Sequence, residues 1–301
     1  MFNTTSPSDS VSFAQPLLDC LRVDEGGPTQ ADLAVLGSSQ PGFDDLIDRQ
    51  RVGPLLLHRL RACGLDRAFH PDCLTRLELA RTDCLHRNLR IYSEARRILR
   101  ALDAGQVANI VLKGLYLAEH VYCDVSARPM LDIDMLVHKQ ELDRASTLLR
   151  DLGYVTAAPQ SVMGHRLASR HLPKFVREGA AAAIEVHWSI HDPGQRYAVD
   201  TAQIFRRAVP AVAAGVRTLT MCPEDFLLHQ CIHAAYQDEF KLGIRPICDI
   251  AAIACRYARE LDWPALVEHA ANWRITGGAY LCLRLARDLL GAPVPPGPLD
   301  H

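Results

Sequence analysis

The most informative stretch of the chain is residues 128–137, which read Arg-Pro-Met-Leu-Asp-Ile-Asp-Met-Leu-Val. The apolar residues around the two aspartates predict a β-strand, on which successive side chains alternate between the two faces of the sheet. Asp132 and Asp134 therefore lie on one face, and the apolar side chains between and beside them lie on the other. Two carboxylates on one face of a strand are typical of a site for a hard cation, which takes oxygen ligands.

A second strand is predicted by the apolar run from Ala181 to Ile190, in which Glu185 and His187 share one face. Residues 174–177 are predicted to form a hairpin with it, and this hairpin can lie beside the acid strand of residues 131–137. Glu185 would then supply a third carboxylate. Three carboxylates can hold two Mg²⁺ ions, which clamp the attacking and leaving oxygens of a displacement at phosphorus.

Four further features accompany these strands along the chain. Lys113-Gly114 opens a short helix, Arg128-Pro129 precedes the acid strand, a helix ends in Leu152-Gly153-Tyr154, and Ile184–Trp188 forms the second strand. Together they resemble the uncharacterised nucleotidyltransferase family of the polymerase-β superfamily, from about Gln50 to about Asp249. The resemblance implies an α+β fold with a small mixed β-sheet of the polymerase-β nucleotidyltransferase type, flanked by N-terminal and C-terminal helical parts.

The resemblance also implies a function, namely transfer of a nucleoside monophosphate from an NTP to a hydroxyl or similar group of a small-molecule, peptide or protein acceptor. The cofactor is expected to be Mg²⁺ and the NTP to be ATP. Three carboxylates are expected to bind the metal and catalyse, with Glu185 also accepting the proton of the attacking hydroxyl; they are Asp132, Asp134 and Glu185. Four residues are expected to contact the nucleotide or its phosphates: Lys113, Gly114, Arg128 and His187.

The nucleotide-binding turn departs from the superfamily, which has Ser or Gly after the glycine. Here Leu115 follows Gly114, and Lys113 is the expected substitute because a lysine at a helix start suits a triphosphate. Structural alternatives also exist, since Arg128 can form a salt bridge that orders the turn and His187 can be a hydrogen-bonded core residue. The altered turn leaves open a non-catalytic module that keeps the fold and binds a nucleotide or a partner.

The amino-acid composition indicates the class of protein and the kinds of partner that are favoured. The chain has 301 residues, of which 49% are hydrophobic and 23% charged, as in soluble globular proteins. A formal net charge of −2 provides no overall field for nucleic acid, so a polynucleotide substrate is less favoured. The ten cysteines form no Cys-x-x-Cys pair, and the polar start has no signal peptide, which predicts a cytoplasmic protein. No apolar run is long enough to span a membrane.

The chain is expected to divide into five segments. They are a disordered N-terminus (1–15), an N-terminal helical region (16–105), the nucleotidyltransferase α/β core (106–220), a C-terminal helical region (221–291) and a flexible tail (292–301). Helices are expected over Phe43–Leu60 and Cys73–Leu102, and a mobile loop over Ala157–Ser169.

Three smaller features have competing interpretations. The arginines of residues 76–100 predict either a solvated helix face or an acceptor or phosphate channel, and they are the basis of a weaker RNA-binding hypothesis. His229 and His233, four residues apart, are either half of a metal site or packing residues near the nucleotide. Asp249 and Arg245 are expected to form an ion pair within one helix.

Overall fold

The computed structural model describes residues 7–24, 26–29, 32, 33, 36, 41–157 and 169–297. Its N-terminal part is helical, with α1 Pro7–Leu21, α2 Pro41–Gln50, α3 Gly53–Ala62 and α4 Pro71–Ala104. Prolines lie in the first turn of α3 and α4, where the missing N–H costs no hydrogen bond. Helix α4 has 34 residues and is therefore about 50 Å long. Its apolar face is buried against both the helices and the sheet, so it connects the two parts of the molecule.

A seven-stranded mixed sheet follows, in the spatial order β3-β4-β5-β2-β1-β7-β6. The strands are β1 Asn109–Val111, β2 Asp132–Val137, β3 Val155–Thr156, β4 Phe175–Val176, β5 Ala183–His187, β6 Val209–Ala213 and β7 Val216–Thr220. Strand β2 is central, with β1 antiparallel on one side and β5 parallel on the other. Between the strands, the described residues form three α-helices: α5 Gly114–Tyr116, continued by a π-helical turn over Leu117–Val121, α6 Leu142–Asp151 and α7 Thr201–Arg207.

The C-terminal part is helical again. It comprises α8 Pro223–Ile232, a π-helical turn over His233–Gln237, α9 Arg245–Arg256, α10 Trp263–Asn272 and α11 Thr276–Leu290. Buried apolar residues of the sheet and of both helical parts form one continuous core. The predicted α+β class, with a mixed sheet flanked by helices, is confirmed. In the part of the chain that the structure describes, no helix combines the length and apolar character needed to cross a membrane.

The strand predictions around the acid strand are confirmed. Strand β5 pairs with β2 in parallel, and β4 pairs with β5 as the second arm of the predicted hairpin. Both strands are buried along nearly their whole length, and the face that carries Ile133 and Ile184 packs in the apolar core.

Several helix boundaries differ from the predictions. The helix expected over Phe43–Leu60 is two helices, because Arg51 has a positive φ of 54° that interrupts the hydrogen-bonding pattern. Helix α1 begins at Pro7, inside the segment expected to be disordered, and Phe13 packs against Phe43 with ring centroids 6.0 Å apart. In the expected flexible tail, Ala292 and Val294 are buried. Of the expected mobile loop, residues 158–168 lie outside the described residues.

Asp124 fastens the segment before β2 to the N-terminal helices. Its carboxylate accepts hydrogen bonds from Ser126, from Arg81 of α4 at 3.2 Å, and from His58 of α3 at 3.0 Å. Burial by itself would raise the pKa of Asp124, but the hydrogen bonds from Ser126, Arg81 and His58 outweigh it and lower the pKa to about 2. The ionised carboxylate therefore contributes to the stability of the fold.

Candidate active site

The pairing of β2 with β5 brings the predicted acidic residues together. Asp134 lies directly opposite Glu185, Asp132 lies one pair earlier on the same face, and His187 lies one pair later. Asp134, Glu185 and His187 are buried, whereas Asp132 at the start of β2 is half-buried. The sheet thus presents three carboxylates and an imidazole on one face.

Asp134 is held between two nitrogen groups. Its Oδ1 is 3.0 Å from Nε2 of His187 and 3.5 Å from Nζ of Lys113. Burial would raise the pKa of Asp134, but the charge of Lys113 and the hydrogen bond from His187 hold it well below its usual range. Asp134 is therefore ionised. Because a carboxylate only accepts, Nε2 of His187 is the protonated nitrogen of that ring.

Glu185 is also paired through both of its oxygens. Its Oε1 is 2.6 Å from Nζ of Lys174, and its Oε2 is 3.3 Å from Nε2 of His187. These contacts outweigh burial and lower the pKa of Glu185 to about 2. Lys174 was not identified as a site residue from the sequence. The predicted hairpin contained the signal, because its register places Lys174 next to the partner of Ile184 and therefore beside Glu185.

Asp132 differs from the other two carboxylates. It makes neither a hydrogen bond nor an ion pair among residues 7–24, 41–157 and 169–297. Burial and the negative charge of Asp134 raise the pKa of Asp132 to about 6. Like charges held on one face of a strand repel one another, so this arrangement favours a cation that both carboxylates can share.

The ligand atoms of Asp134, Glu185 and His187 lie within 4.8 Å of one another and could hold a metal ion. Two of the three donors fit a hard divalent cation such as Mg²⁺, because the ionised carboxylates of Asp134 and Glu185 supply oxygen ligands. A protonated Nε2 that donates to both carboxylates cannot ligate at the same time. His187 therefore orients the two carboxylates, and Asp132 carries a third carboxylate on the same face.

Lys113 and Gly114 lie where β1 ends and α5 begins. Lys113 has φ 44° and ψ −119°, a conformation that usually favours glycine, and this backbone directs its ammonium group towards Asp134. A Cβ on Gly114 would come within 2.9 Å of Nη1 of Arg128, so only glycine allows Arg128 to pack there.

This site can be compared with known proteins. The family model of the uncharacterised nucleotidyltransferases matches residues 39–291, which is most of the chain. The chain belongs to this family. It is therefore a nucleotidyltransferase, an enzyme that uses an NTP and an acceptor. The solution structure of the antibiotic-resistance factor ANT(2'')-Ia matches with a TM-score of 0.42 and 14% identity, over 61% of this chain and 91% of that one. A comparison with curated protein sequences finds no match.

Arg128 of the nucleotidyltransferase forms a salt bridge, which was the structural alternative to a phosphate contact. Its Nη2 is 2.9 Å from Oδ2 of Asp249, and its Nε is 3.1 Å from Oδ1. Tyr122 donates a third hydrogen bond to this carboxylate at 2.9 Å. The ion pair expected between Asp249 and Arg245 is therefore wrong, because the carboxylate points to the segment before β2. A phosphate contact by Arg128 stays a prediction.

His229 and His233, in α8 and its π-helical turn, interact electrostatically with Asp134 but are not part of the group of ligand atoms that could hold a metal. His229 is buried, and burial together with the charge of Lys113 holds its pKa well below the usual range. Nδ1 of His233 is 2.6 Å from Oδ2 of Asp238. These contacts agree with the packing interpretation of the two histidines.

The buried Asn88 of α4 was also not identified as a site residue from the sequence. Its Nδ2 donates to the carbonyl oxygens of Val125 and Arg128, at 2.5 and 2.9 Å, and its Oδ1 accepts from the N–H of Met130 at 3.2 Å. Asn88 thus fixes the segment that leads into Asp132. A lone asparagine on the apolar face of a helix was the available signal.

Proposed function

We propose that this nucleotidyltransferase uses Mg²⁺ and ATP, and that it transfers AMP to a hydroxyl group of a small-molecule, peptide or protein acceptor. The observation that carries the proposal is the parallel register that sets Asp134 opposite Glu185, with His187 hydrogen-bonded to both. Membership of the nucleotidyltransferase family favours this enzymatic hypothesis over a non-catalytic module.

Each residue has a task in this proposal. Asp132, Asp134 and Glu185 would hold Mg²⁺, which neutralises phosphate charge and makes a bound hydroxyl more acidic. Lys113 and the backbone that follows Gly114 would bind the β- and γ-phosphates. His187 keeps Asp134 and Glu185 in position for this.

Besides holding the metal, Glu185 is proposed to accept the proton of the attacking hydroxyl. The ammonium of Lys174 occupies one oxygen of Glu185, but the side chain of Lys174 is 51% exposed. Releasing an exposed ammonium costs about 1 kcal/mol or less. Glu185 can therefore free an oxygen for the proton.

We also propose that the protein acts in the cytoplasm on an acceptor other than nucleic acid. All ten cysteines are free thiols, which supports a reducing compartment. The net charge of −2 supports a small or peptidic acceptor rather than a polynucleotide.

The test is calorimetric titration of ATP, GTP, CTP and UTP with Mg²⁺. The variants are Asp134→Asn and Asp132→Asn, and Asp151→Asn at the exposed end of α6 is the matched control. We expect the wild type and the control to bind ATP, and the two site variants to bind it about tenfold or more weakly, because each loses a metal-bound charge. Equal affinity in all four folded proteins would refute the site. If another NTP binds preferentially, that nucleotide takes the place of ATP in the proposal and the rest of the proposal stands.

A further inference from the structure

A cavity of about 360 Å³ lies beside the start of the acid strand and contains none of the residues assigned to the nucleotide. Helices α2, α3 and α4 form its walls on the N-terminal side, and the first residue of α9 closes it on the C-terminal side. Pro129 and Leu131, which lead into β2, form the remaining wall. The cavity therefore lies where the two helical parts meet the catalytic strand.

Three guanidinium groups line this cavity, those of Arg51, Arg87 and Arg245. None of the three side chains forms an ion pair or a hydrogen bond with another residue of the described ranges. Nε of Arg245 is buried and has no hydrogen-bond partner there. Burial, together with the charges of Arg128 and Arg51, lowers the pKa of Arg245. An anion in the cavity would satisfy these donors and offset their mutual repulsion.

The other residues that line the cavity indicate the chemistry of the rest of the ligand. Asp48 and Asp83 also border the cavity, so its formal charge is +1. Leu131 is 54% exposed, although it lies next to the buried part of β2. A large exposed apolar side chain beside unpaired arginines fits a molecule that has an anionic group and an apolar part.

The cavity is next to the catalytic carboxylates along the chain. Leu131 lines it and is followed directly by Asp132, and neighbouring Cα atoms are about 3.8 Å apart. Lys113 and Gly114 reach the site from β1, on the opposite side of β2 from β5. Because the side chains of Leu131 and Asp132 alternate in direction, a ligand in the cavity would reach the carboxylate face around the start of β2, where Asp132 is half-buried, and the triphosphate would approach that face from the end of β1.

We propose that this cavity binds the acceptor, and that the acceptor carries a carboxylate or phosphate group in addition to its hydroxyl. Arg51, Arg87 and Arg245 bind the anionic group, and the hydroxyl points towards Asp132. The hydroxyl oxygen forms a bond to the α-phosphorus, the bond from that phosphorus to the bridging oxygen breaks, pyrophosphate leaves, and the proton goes to Glu185. This assignment rests on the proposed function.

The test measures binding of four small probes that each contain a hydroxyl group. They are glycerol 3-phosphate, glycerate, glycerol and ethanolamine, titrated with Mg²⁺ and a non-hydrolysable ATP analogue present and again without them. The variants are Arg87→Gln and Arg245→Gln. Arg90→Gln is the matched control, because Arg90 is exposed on the same helix as Arg87 and lies outside the cavity. Binding of the ATP analogue to each variant is measured separately.

We expect an anionic probe to bind about tenfold more tightly than glycerol, and each cavity variant to lose about tenfold, because one charge-assisted hydrogen bond is removed. The Arg90→Gln variant should bind like the wild type, and all variants should bind the ATP analogue equally. Preference for glycerol 3-phosphate or for glycerate identifies the anionic group.

Four results would overturn the assignment. Equal binding of anionic and neutral probes, or anion binding that does not change in either cavity variant, would exclude an anion site. Weaker binding of the ATP analogue to Arg87→Gln, together with competition between probe and analogue, would make the cavity part of the nucleotide site and leave the proposed function intact. Anion binding in a wild type that binds no NTP would refute the proposed function and, with it, the acceptor role.

Discussion

Replacing Asn88 by alanine tests whether one buried side chain holds the acid strand in place. The substitution removes three hydrogen bonds to the backbone of residues 125–130. Each buried polar group left without a partner costs about 1–3 kcal/mol. Val125 and Arg128 are both half-buried, so we count half a penalty for each carbonyl and a full one for the buried N–H of Met130, which at about 2 kcal/mol per penalty gives about 4 kcal/mol. Alanine regains roughly 0.6 kcal/mol of helix propensity. The free energy of unfolding should therefore fall by about 3 kcal/mol.

The assay is urea unfolding followed by circular dichroism, with Asn272→Ala as the control. Asn272 is exposed at the end of α10, so this variant gains helix propensity and loses no buried hydrogen bond. Its stability should change by no more than about 0.5 kcal/mol. The Asn88 variant should also bind Mg²⁺ and ATP more weakly below the denaturation range, because Met130 lies two residues before Asp132. A loss of stability under about 1 kcal/mol would refute this account of Asn88.

Four other substitutions test the charges around the site. Asp124→Asn should lower the free energy of unfolding by about 1 kcal/mol at pH 7 after solvent screening. In urea titrations this difference should disappear as the pH falls from about 4 towards 2, because the lowered pKa of Asp124 confers stability only while its carboxylate is ionised. A difference that persists at pH 2 would contradict this account. Asp249→Asn should cost about 3–5 kcal/mol in the same assay because it leaves the charge of Arg128 buried without its partner, and a change below about 1 kcal/mol would show that the pair is dispensable. Lys174→Met removes a positive charge that competes with the metal, so Mg²⁺ titration of the ATP complex should show binding tightened by about threefold, and weaker binding would count against the metal site. Lys113→Gly relieves the positive φ but leaves the buried Asp134 without its ammonium partner, so the unfolding free energy should fall by about 2 kcal/mol and ATP binding should weaken, whereas unchanged ATP affinity would remove lysine from the phosphate site.

The part of the site that could be predicted from the sequence is the part that depends on strand geometry. Alternation alone places Asp132 and Asp134 on one face, and the hairpin before β5 limits where Glu185 can lie. These inferences use residues that are close along the chain or share a strand. The parallel register that sets Asp134 opposite Glu185 was not predicted and comes from the structure.

The contacts that could not be predicted join residues far apart along the chain. Arg128 and Asp249 are 121 positions apart, and no periodic pattern connects a turn before β2 with the middle of α9. Local spacing favoured Arg245 as the partner of Asp249, because the two are four residues apart on one helix. Tertiary packing instead pairs Asp249 with Arg128, because the buried face of α9 contacts the segment before β2. The same packing leaves Arg245 at the cavity.

The backbone of Lys113 gives a physical reason for the altered nucleotide-binding turn. Glycine would adopt its φ of 44° without cost, and a lysine there costs on the order of 1–3 kcal/mol. The conformation places an ammonium 3.5 Å from Asp134 on the face that carries three carboxylates. With Lys113 and Lys174 present, that face has a formal charge of −1 instead of −3, so a single nucleotide with its Mg²⁺ meets less repulsion than bare carboxylates would impose. Glycine relieves the backbone but has no charge, and serine has a hydroxyl but cannot reach so far. In the proposed function, lysine at this strained position therefore supplies the positive charge of the altered turn.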